Sequence, residues 1–146
     1  MATSLTFTGT IFTSGSILTQ AAQTTPVTIA NGGTAGCRIY GISGYTNSTT
    51  ATGYFRLIYS SSAAGGVGNE IGTVPILANA GNTTVAASDI FGQSVVASVF
   101  QKQKDANGVP YFNIPSGSLL QIRASGSATQ MSTNSSLTIT CFGEFY

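Results

Sequence analysis

Hydrophobic and polar residues alternate along most of this chain. In residues 5–11, Leu, Phe, Gly and Ile occupy the odd positions and Thr the even ones, which is the pattern of a half-buried antiparallel strand. Clusters of Gly, Asn and Ser, the residues that favour turns, separate further runs of this kind. The remaining predicted strands cover residues 26–30, 37–42, 54–60, 73–77, 118–124 and 136–142.

Short strands at such spacing are typical of a β-sandwich or a β-barrel. We therefore predict an all-β fold, an antiparallel sandwich or jelly-roll-like barrel, in a single domain that spans residues 1–146. Enough apolar residues are present for a core, since 42% of the chain is hydrophobic.

One segment departs from the alternation and predicts a short helix around residues 88–101. Ile90 or Phe91, then Val95 and Val99, recur at helical spacing, and Ser88 is a suitable N-cap. Gly92 and the β-branched valines favour the alternative of a strand. After this segment, Asn107-Gly108 lies in a polar stretch and predicts a type I′ hairpin turn.

Charged side chains are scarce: the chain has five Lys and Arg, four Asp and Glu, and no His. Acid–base catalysis near neutral pH depends mostly on His or on paired carboxylates. The four acids, Glu70, Asp89, Asp105 and Glu144, are far apart in sequence and lie in no catalytic motif. We predict that the protein is not an enzyme and has no catalytic, cofactor-binding or metal-binding residues.

The net charge of +1 gives no basic surface for nucleic acid, and Lys102 and Lys104 form the one small basic cluster. Apolar runs are too short for a membrane helix, and the first residues lack the features of an export signal. We expect no nucleic-acid or membrane partner. Cys37 and Cys141 are either a disulfide or two buried thiols, and synthesis in a cytoplasm favours the thiols.

Six tyrosines are the remaining candidate binding residues. They are able to line a sugar-binding face, but tyrosine is also a common strand residue with an amphipathic tip. Without Trp or a calcium motif, the sequence favours a core or interface role for them. They are Tyr40, Tyr45, Tyr54, Tyr59, Tyr111 and Tyr146.

The stretch from Asp89 to Tyr146 resembles the head decoration (cement) proteins of tailed bacteriophages. The resemblance is carried by a mixed apolar segment at 90–100, then Lys102-Gln103-Lys104-Asp105-Ala106-Asn107-Gly108-Val109-Pro110-Tyr111-Phe112, then Ile114-Pro115-Ser116-Gly117-Ser118-Leu119-Leu120, and the final strand pattern at 137–146. It implies a small β-rich virion protein that is made in the host cytoplasm. Such a protein binds the major capsid protein on the capsid exterior, forms a homotrimer and bridges neighbouring capsid subunits.

Residues 1–7 are a candidate extended N-terminal arm. A terminal segment with a strand pattern is suited to pair with the capsid or with a neighbouring subunit. The predicted contact residues are Ala2, Thr3, Ser4, Leu5, Thr6 and Phe7.

Two other protein classes share the composition. A pilin-like or surface-fibre subunit is also low in charge and rich in Thr, Ser, Gly and Ala, but its assembly requires export. A small carbohydrate-binding module is the third alternative and predicts retention on polysaccharide.

Overall fold

Strands and turns make up the described part of the protein, and no helix is found there. The computed structural model describes residues 11–19, 26–50, 52–61, 69–81, 88–90, 102–124 and 136–146. The strands are β1 (Ile11–Thr19), β2 (Val27–Asn31), β3 (Cys37–Thr46), β4 (Gly53–Ser60), β5 (Asn69–Ile76), β6 (Ser88–Asp89), β7 (Gln103–Lys104), β8 (Pro110–Ile114), β9 (Leu119–Ala124) and β10 (Ser136–Phe145).

Two antiparallel sheets, each with four main strands, contain these elements. The first sheet has the order β1-β10-β3-β8, extended by the short strand β7 next to β8 and by β6, which also pairs with β3. The second sheet has the order β2-β9-β4-β5. Among the main strands, β4 and β5 are consecutive in the chain and adjacent in one sheet, whereas every other consecutive pair lies in different sheets.

Side chains from both sheets form one hydrophobic core. On β4, Phe55 and Leu57 are fully buried while Tyr54 and Arg56, which alternate with them, are half-buried, as the period of two requires. Burial of a large apolar side chain stabilises the fold by roughly 1.5–3 kcal/mol. The largest buried side chains are Phe55, Phe112, Ile29, Ile39, Ile42, Leu57, Ile76, Ile90, Ile114, Leu120 and Ile122.

Cys37 and Cys141 belong to this core as free thiols, each fully buried. Burial in apolar surroundings disfavours the charged thiolate and raises the pKa of Cys37 to about 11. Both residues therefore serve as small apolar side chains.

The predicted helix around residues 88–101 is wrong where the structure describes it. Ser88, the proposed N-cap, and Asp89 form β6 and pair with Gly44 and Ser43 of β3. The Ile90 N–H then donates to the Ile42 carbonyl at 3.0 Å. Residues 88–90 therefore form hydrogen bonds with the backbone of β3 and not the first turn of a helix. Residues 91–101 of the predicted helix lie outside the described part of the chain.

The Asn-Gly turn also differs from the prediction. A type I′ turn requires positive φ at both central residues, but here Gly108 has φ 78° and Asn107 is not in that region. The Gly108 N–H donates to the Asp105 carbonyl at 2.9 Å, and the Asp105 N–H donates to the Val109 carbonyl at 3.0 Å. This is the three-residue hairpin loop in which a left-handed glycine follows the turn.

Candidate functional site

The face of the first sheet opposite the core carries a polar and aromatic cluster. Strand pairing assembles it, because Arg38 on β3 lies opposite Glu144 of β10 on one side and Asn113 of β8 on the other. Tyr40 and Tyr111 alternate with the buried Ile39 and with Phe112. We refer to Arg38, Tyr40, Asp105, Tyr111, Asn113, Glu144 and Tyr146 as the polar cluster.

An ion pair forms the centre of the polar cluster. Arg38 Nη1 lies 3.3 Å from Glu144 Oε1, and the Glu144 side chain is almost completely buried while that of Arg38 is 25% exposed. The guanidinium carbon lies 5.0 Å from the ring centroid of Tyr111 and 4.8 Å from that of Tyr146. Two aromatic rings therefore hold the cation by cation–π attraction while a carboxylate neutralises it.

Tyr40 connects this ion pair to a second carboxylate. Its hydroxyl oxygen lies 3.2 Å from both Asp105 Oδ2 and Glu144 Oε1, so that its single proton is shared between the two carboxylates. Burial raises the pKa of Tyr40 above its ordinary value, and the nearby carboxylates of Glu144 and Asp105 raise it further. The hydrogen bond with Arg38 lowers this pKa but does not cancel the increase. The phenol therefore stays protonated at neutral pH, and the ring keeps a fixed orientation 6.0 Å from that of Tyr111.

Asp105 orders the loop between β7 and β8. Its Oδ1 atom accepts the backbone N–H groups of Asn107 and Val109, each at 2.9 Å. Desolvation pushes the pKa of Asp105 upward, but these hydrogen bonds, the Tyr40 hydroxyl and the positive charge of Arg38 outweigh it and hold the pKa below its ordinary value.

Tyr146, which directly follows β10, is held against this face by two hydrogen bonds. Its hydroxyl donates to Asn113 Oδ1 at 2.7 Å, and its N–H donates to the Gly36 carbonyl at 3.1 Å. These bonds place the aromatic ring over Arg38.

A β-bulge in β3 adjoins the polar cluster. Phe142 of β10 pairs with Gly41 and the next residue, Gly143, pairs with Ile39, so that Tyr40 is the extra residue of β3. On the other side of β3, β8 pairs with it as far as Ile39, β6 pairs with it from Ser43, and the Ile42 carbonyl accepts the Ile90 N–H. Among the described residues, the ladder on this side of β3 is therefore interrupted next to the bulge, where the strand bends.

Two depressions lie at this gap and meet at Asp89. The first has a volume of about 270 Å³ and is lined by Gly41, Ile42, Ser43, Asp89, Thr140 and Phe142. The second has a volume of about 190 Å³ and is lined by Tyr40, Asp89, Lys102, Pro110, Tyr111 and Phe112.

The structure brings together only part of what the sequence analysis singled out. Tyr40, Tyr111 and Tyr146 join the polar cluster, whereas Tyr59 donates to Ser118 Oγ at 3.0 Å and Tyr45 is 39% exposed. The sequence analysis considered the tyrosines as binding residues but did not consider Arg38. Arg38 and Glu144, which form the ion pair, lie 106 positions apart in the sequence. No local motif signals such a pair.

Of the four acids, Asp105 and Glu144 meet at the Tyr40 hydroxyl, while Glu70 is on β5 and Asp89 on β6. Within the described residues, no group of three His, Cys, Asp or Glu side chains is arranged to hold a metal ion. No described helix is long and apolar enough to cross a membrane. The arrangement offers fixed aromatic faces and neutralised charges, which suits binding.

The predicted arm residues lie outside the described part of the chain; they are Ala2, Thr3, Ser4, Leu5, Thr6 and Phe7. Comparisons with protein-family models, with curated proteins and with solved structures gave no match.

Proposed function

We propose that this protein is a structural virion protein that binds the outside of a bacteriophage capsid and bridges neighbouring subunits of the major capsid protein. It acts as a homotrimer, has no enzymatic activity, and reaches the capsid exterior after synthesis in the host cytoplasm. The observation that carries this proposal is the order of the main strands in the two sheets.

That order supports a jelly-roll sandwich. The sheets β1-β10-β3-β8 and β2-β9-β4-β5 interleave as two Greek keys do in an eight-stranded jelly roll. Viral capsid domains are among the main users of this architecture, as are lectin domains. The strand order therefore supports the class of protein that the sequence resemblance implies.

The distribution of charge supports the same function. Three of the nine charged residues, Arg38, Asp105 and Glu144, interact with one another or through Tyr40 on one face. Few charges are left for the rest of the surface, so a neighbour covers it without desolvating many ions. Durable contacts with a lattice need such a surface.

The test is a measurement of mass followed by capsid binding. Light scattering after size exclusion is expected to give three times the chain mass of 14.9 kDa. Co-sedimentation with capsids assembled from the major capsid protein of a phage whose genome encodes this chain is expected to deplete the protein from solution. A protein that stays in the supernatant at every capsid concentration contradicts the proposal.

The arm hypothesis has its own variant. Deletion of residues 1–7 is expected to weaken capsid binding or to change the oligomeric state, because an added strand contributes main-chain hydrogen bonds. The full chain is the control. Unchanged binding and unchanged mass remove the arm from the proposal without affecting the rest of it.

A thiol titration separates this function from that of an exported fibre subunit. Cys37 and Cys141 are buried in the core and are not joined by a disulfide, which supports assembly in a reducing compartment. We expect two reactive thiols per chain in guanidinium chloride and almost none in the native protein. A denatured chain with no reactive thiol favours the fibre subunit instead.

A further inference from the structure

The two depressions that meet at Asp89 form one groove across the first sheet. The groove follows the bulged part of β3 between β8 and β6, with Gly41 in the first depression and Tyr40 in the second. A Cβ atom built at Gly41 would meet no atom of the described residues within 4 Å, so a substitution at this position makes no immediate clash with them.

Aromatic rings line the groove in fixed positions. Tyr40 and Tyr111 border the second depression with a ring distance of 6.0 Å and an interplanar angle of 56°, and half-buried Phe142 borders the first. The Tyr40 hydroxyl is held by Asp105 and Glu144, and Arg38 lies against the Tyr111 ring. Rings that are already ordered lose little conformational entropy when a ligand binds.

The charged and polar groups of the groove favour a neutral ligand. Asp89 and Lys102 both line the second depression and have opposite charges, so neither an anion nor a cation is favoured overall. The surface of the first depression, next to Phe142, is almost wholly apolar. A carboxylate and an ammonium group beside an apolar, aromatic surface match a ligand that has both hydrogen-bonding groups and an apolar face.

We propose that this groove binds a neutral oligosaccharide across two adjacent subsites that share Asp89. Each depression is smaller than the roughly 300–1,000 Å³ of pockets for drug-sized ligands, which limits a subsite to a ligand about as large as one sugar ring. The C–H face of a pyranose packs against the electron-rich face of an aromatic ring, and its hydroxyls bond to the polar groups at the edge. This inference does not depend on capsid binding.

The test uses the full chain and a panel of neutral oligosaccharides built from glucose, galactose, mannose and N-acetylhexosamines. Binding is screened on an array and measured by calorimetry. Gly41→Leu fills the first depression without backbone strain, since its φ is outside the left-handed region, and should weaken binding about tenfold or more. Asp89→Ala, in both subsites, should weaken binding by a similar factor.

Thr73→Leu is the matched control, because it adds the same apolar side chain at an exposed position of β5 in the second sheet. It should bind as the unchanged protein does, and thermal unfolding verifies that all variants are folded. The proposal is overturned if no member of the panel binds, or if Gly41→Leu and Asp89→Ala bind as tightly as Thr73→Leu. It is also overturned if no oligosaccharide binds but an extended peptide binds the unchanged protein and does not bind Gly41→Leu.

Discussion

Glu144 is a nearly fully buried carboxylate in a chain that has very few charges. A buried ion pair stabilises a fold less than its Coulomb energy suggests, because both ions are removed from water. Loss of one partner is more damaging, since it leaves the other charge without compensation. In this protein, the Arg38 guanidinium would be that uncompensated charge.

Substitution of Glu144 tests this arrangement. Glu144→Gln keeps the size of the side chain but removes the charge that faces Arg38. We expect the free energy of unfolding to fall by about 2 kcal/mol, a value reduced for the partial exposure of Arg38. Urea unfolding measures the loss, and the double variant Arg38→Met/Glu144→Gln should regain part of it. If the double variant loses as much stability as the single variants Arg38→Met and Glu144→Gln together, the two side chains do not interact and the pairing is contradicted.

Asp105 makes stability depend on pH in the acid range. Its pKa in the folded protein is below the ordinary value of 3.8, so the folded state binds its proton less readily than the unfolded state does. The stability it contributes is complete above the ordinary pKa and is lost as the pH falls through the lowered one.

Asp105→Asn keeps an oxygen for the loop hydrogen bonds but does not titrate. We therefore expect this variant to lose less stability than the unchanged protein between about pH 6 and about pH 3, as measured by urea unfolding. Equal losses in the two proteins would show that Asp105 does not contribute to the acid dependence.

The strands were predictable from the sequence where alternation was regular. Residues 54–60 were predicted as a strand, and β4 is Gly53–Ser60; residues 37–42 were predicted, and β3 continues to Thr46. The sequence analysis missed β1, since Gly15 and several hydroxyl residues interrupt its apolar pattern. The helix prediction failed at Ser88 because local spacing contains no information about the unpaired backbone of β3.

The polar cluster and the groove were harder to predict from the sequence. Most of their residues come from β3, β8 and β10, while Asp89 is on β6, Lys102 precedes β7 and Asp105 lies in the loop before β8. They therefore meet only once the sheet has its register. Tyr40 and Tyr111 had been singled out as candidates, but Arg38 and Glu144 are ordinary residues until strand pairing places them opposite each other.

Two glycines of β3 give a matched test of how closely the sheets approach each other. A Cβ atom at Gly44 would collide with the Ile76 Cδ1 atom, and Ile76 is fully buried in the core, whereas a Cβ atom at Gly41 meets no atom of the described residues within 4 Å. We expect Gly44→Ala to lower the free energy of unfolding by about 1–2 kcal/mol and Gly41→Ala by less than about 0.5 kcal/mol. Urea unfolding of both variants measures the difference. Similar values for the two would contradict the close approach at Gly44.

The whole molecule has a net charge of +1 and little charge of either sign to attract a partner over a distance. Contacts made by such a surface depend on buried area and hydrogen bonds, which salt screens very little. For the proposed capsid binding, we expect the affinity to change less than about threefold between about 50 and about 500 mM NaCl. Co-sedimentation across this range measures it. A loss of about a hundredfold or more would show that ionic contacts dominate.

The position of β10 also determines when the molecule is able to fold. This last strand in chain order lies between β1 and β3, and within the described residues β1 pairs with β10, Ile11 opposite Glu144. The first sheet therefore stays incomplete until β10 has left the ribosome. Pairing over such sequence distances makes folding slow compared with that of a helical domain of similar size.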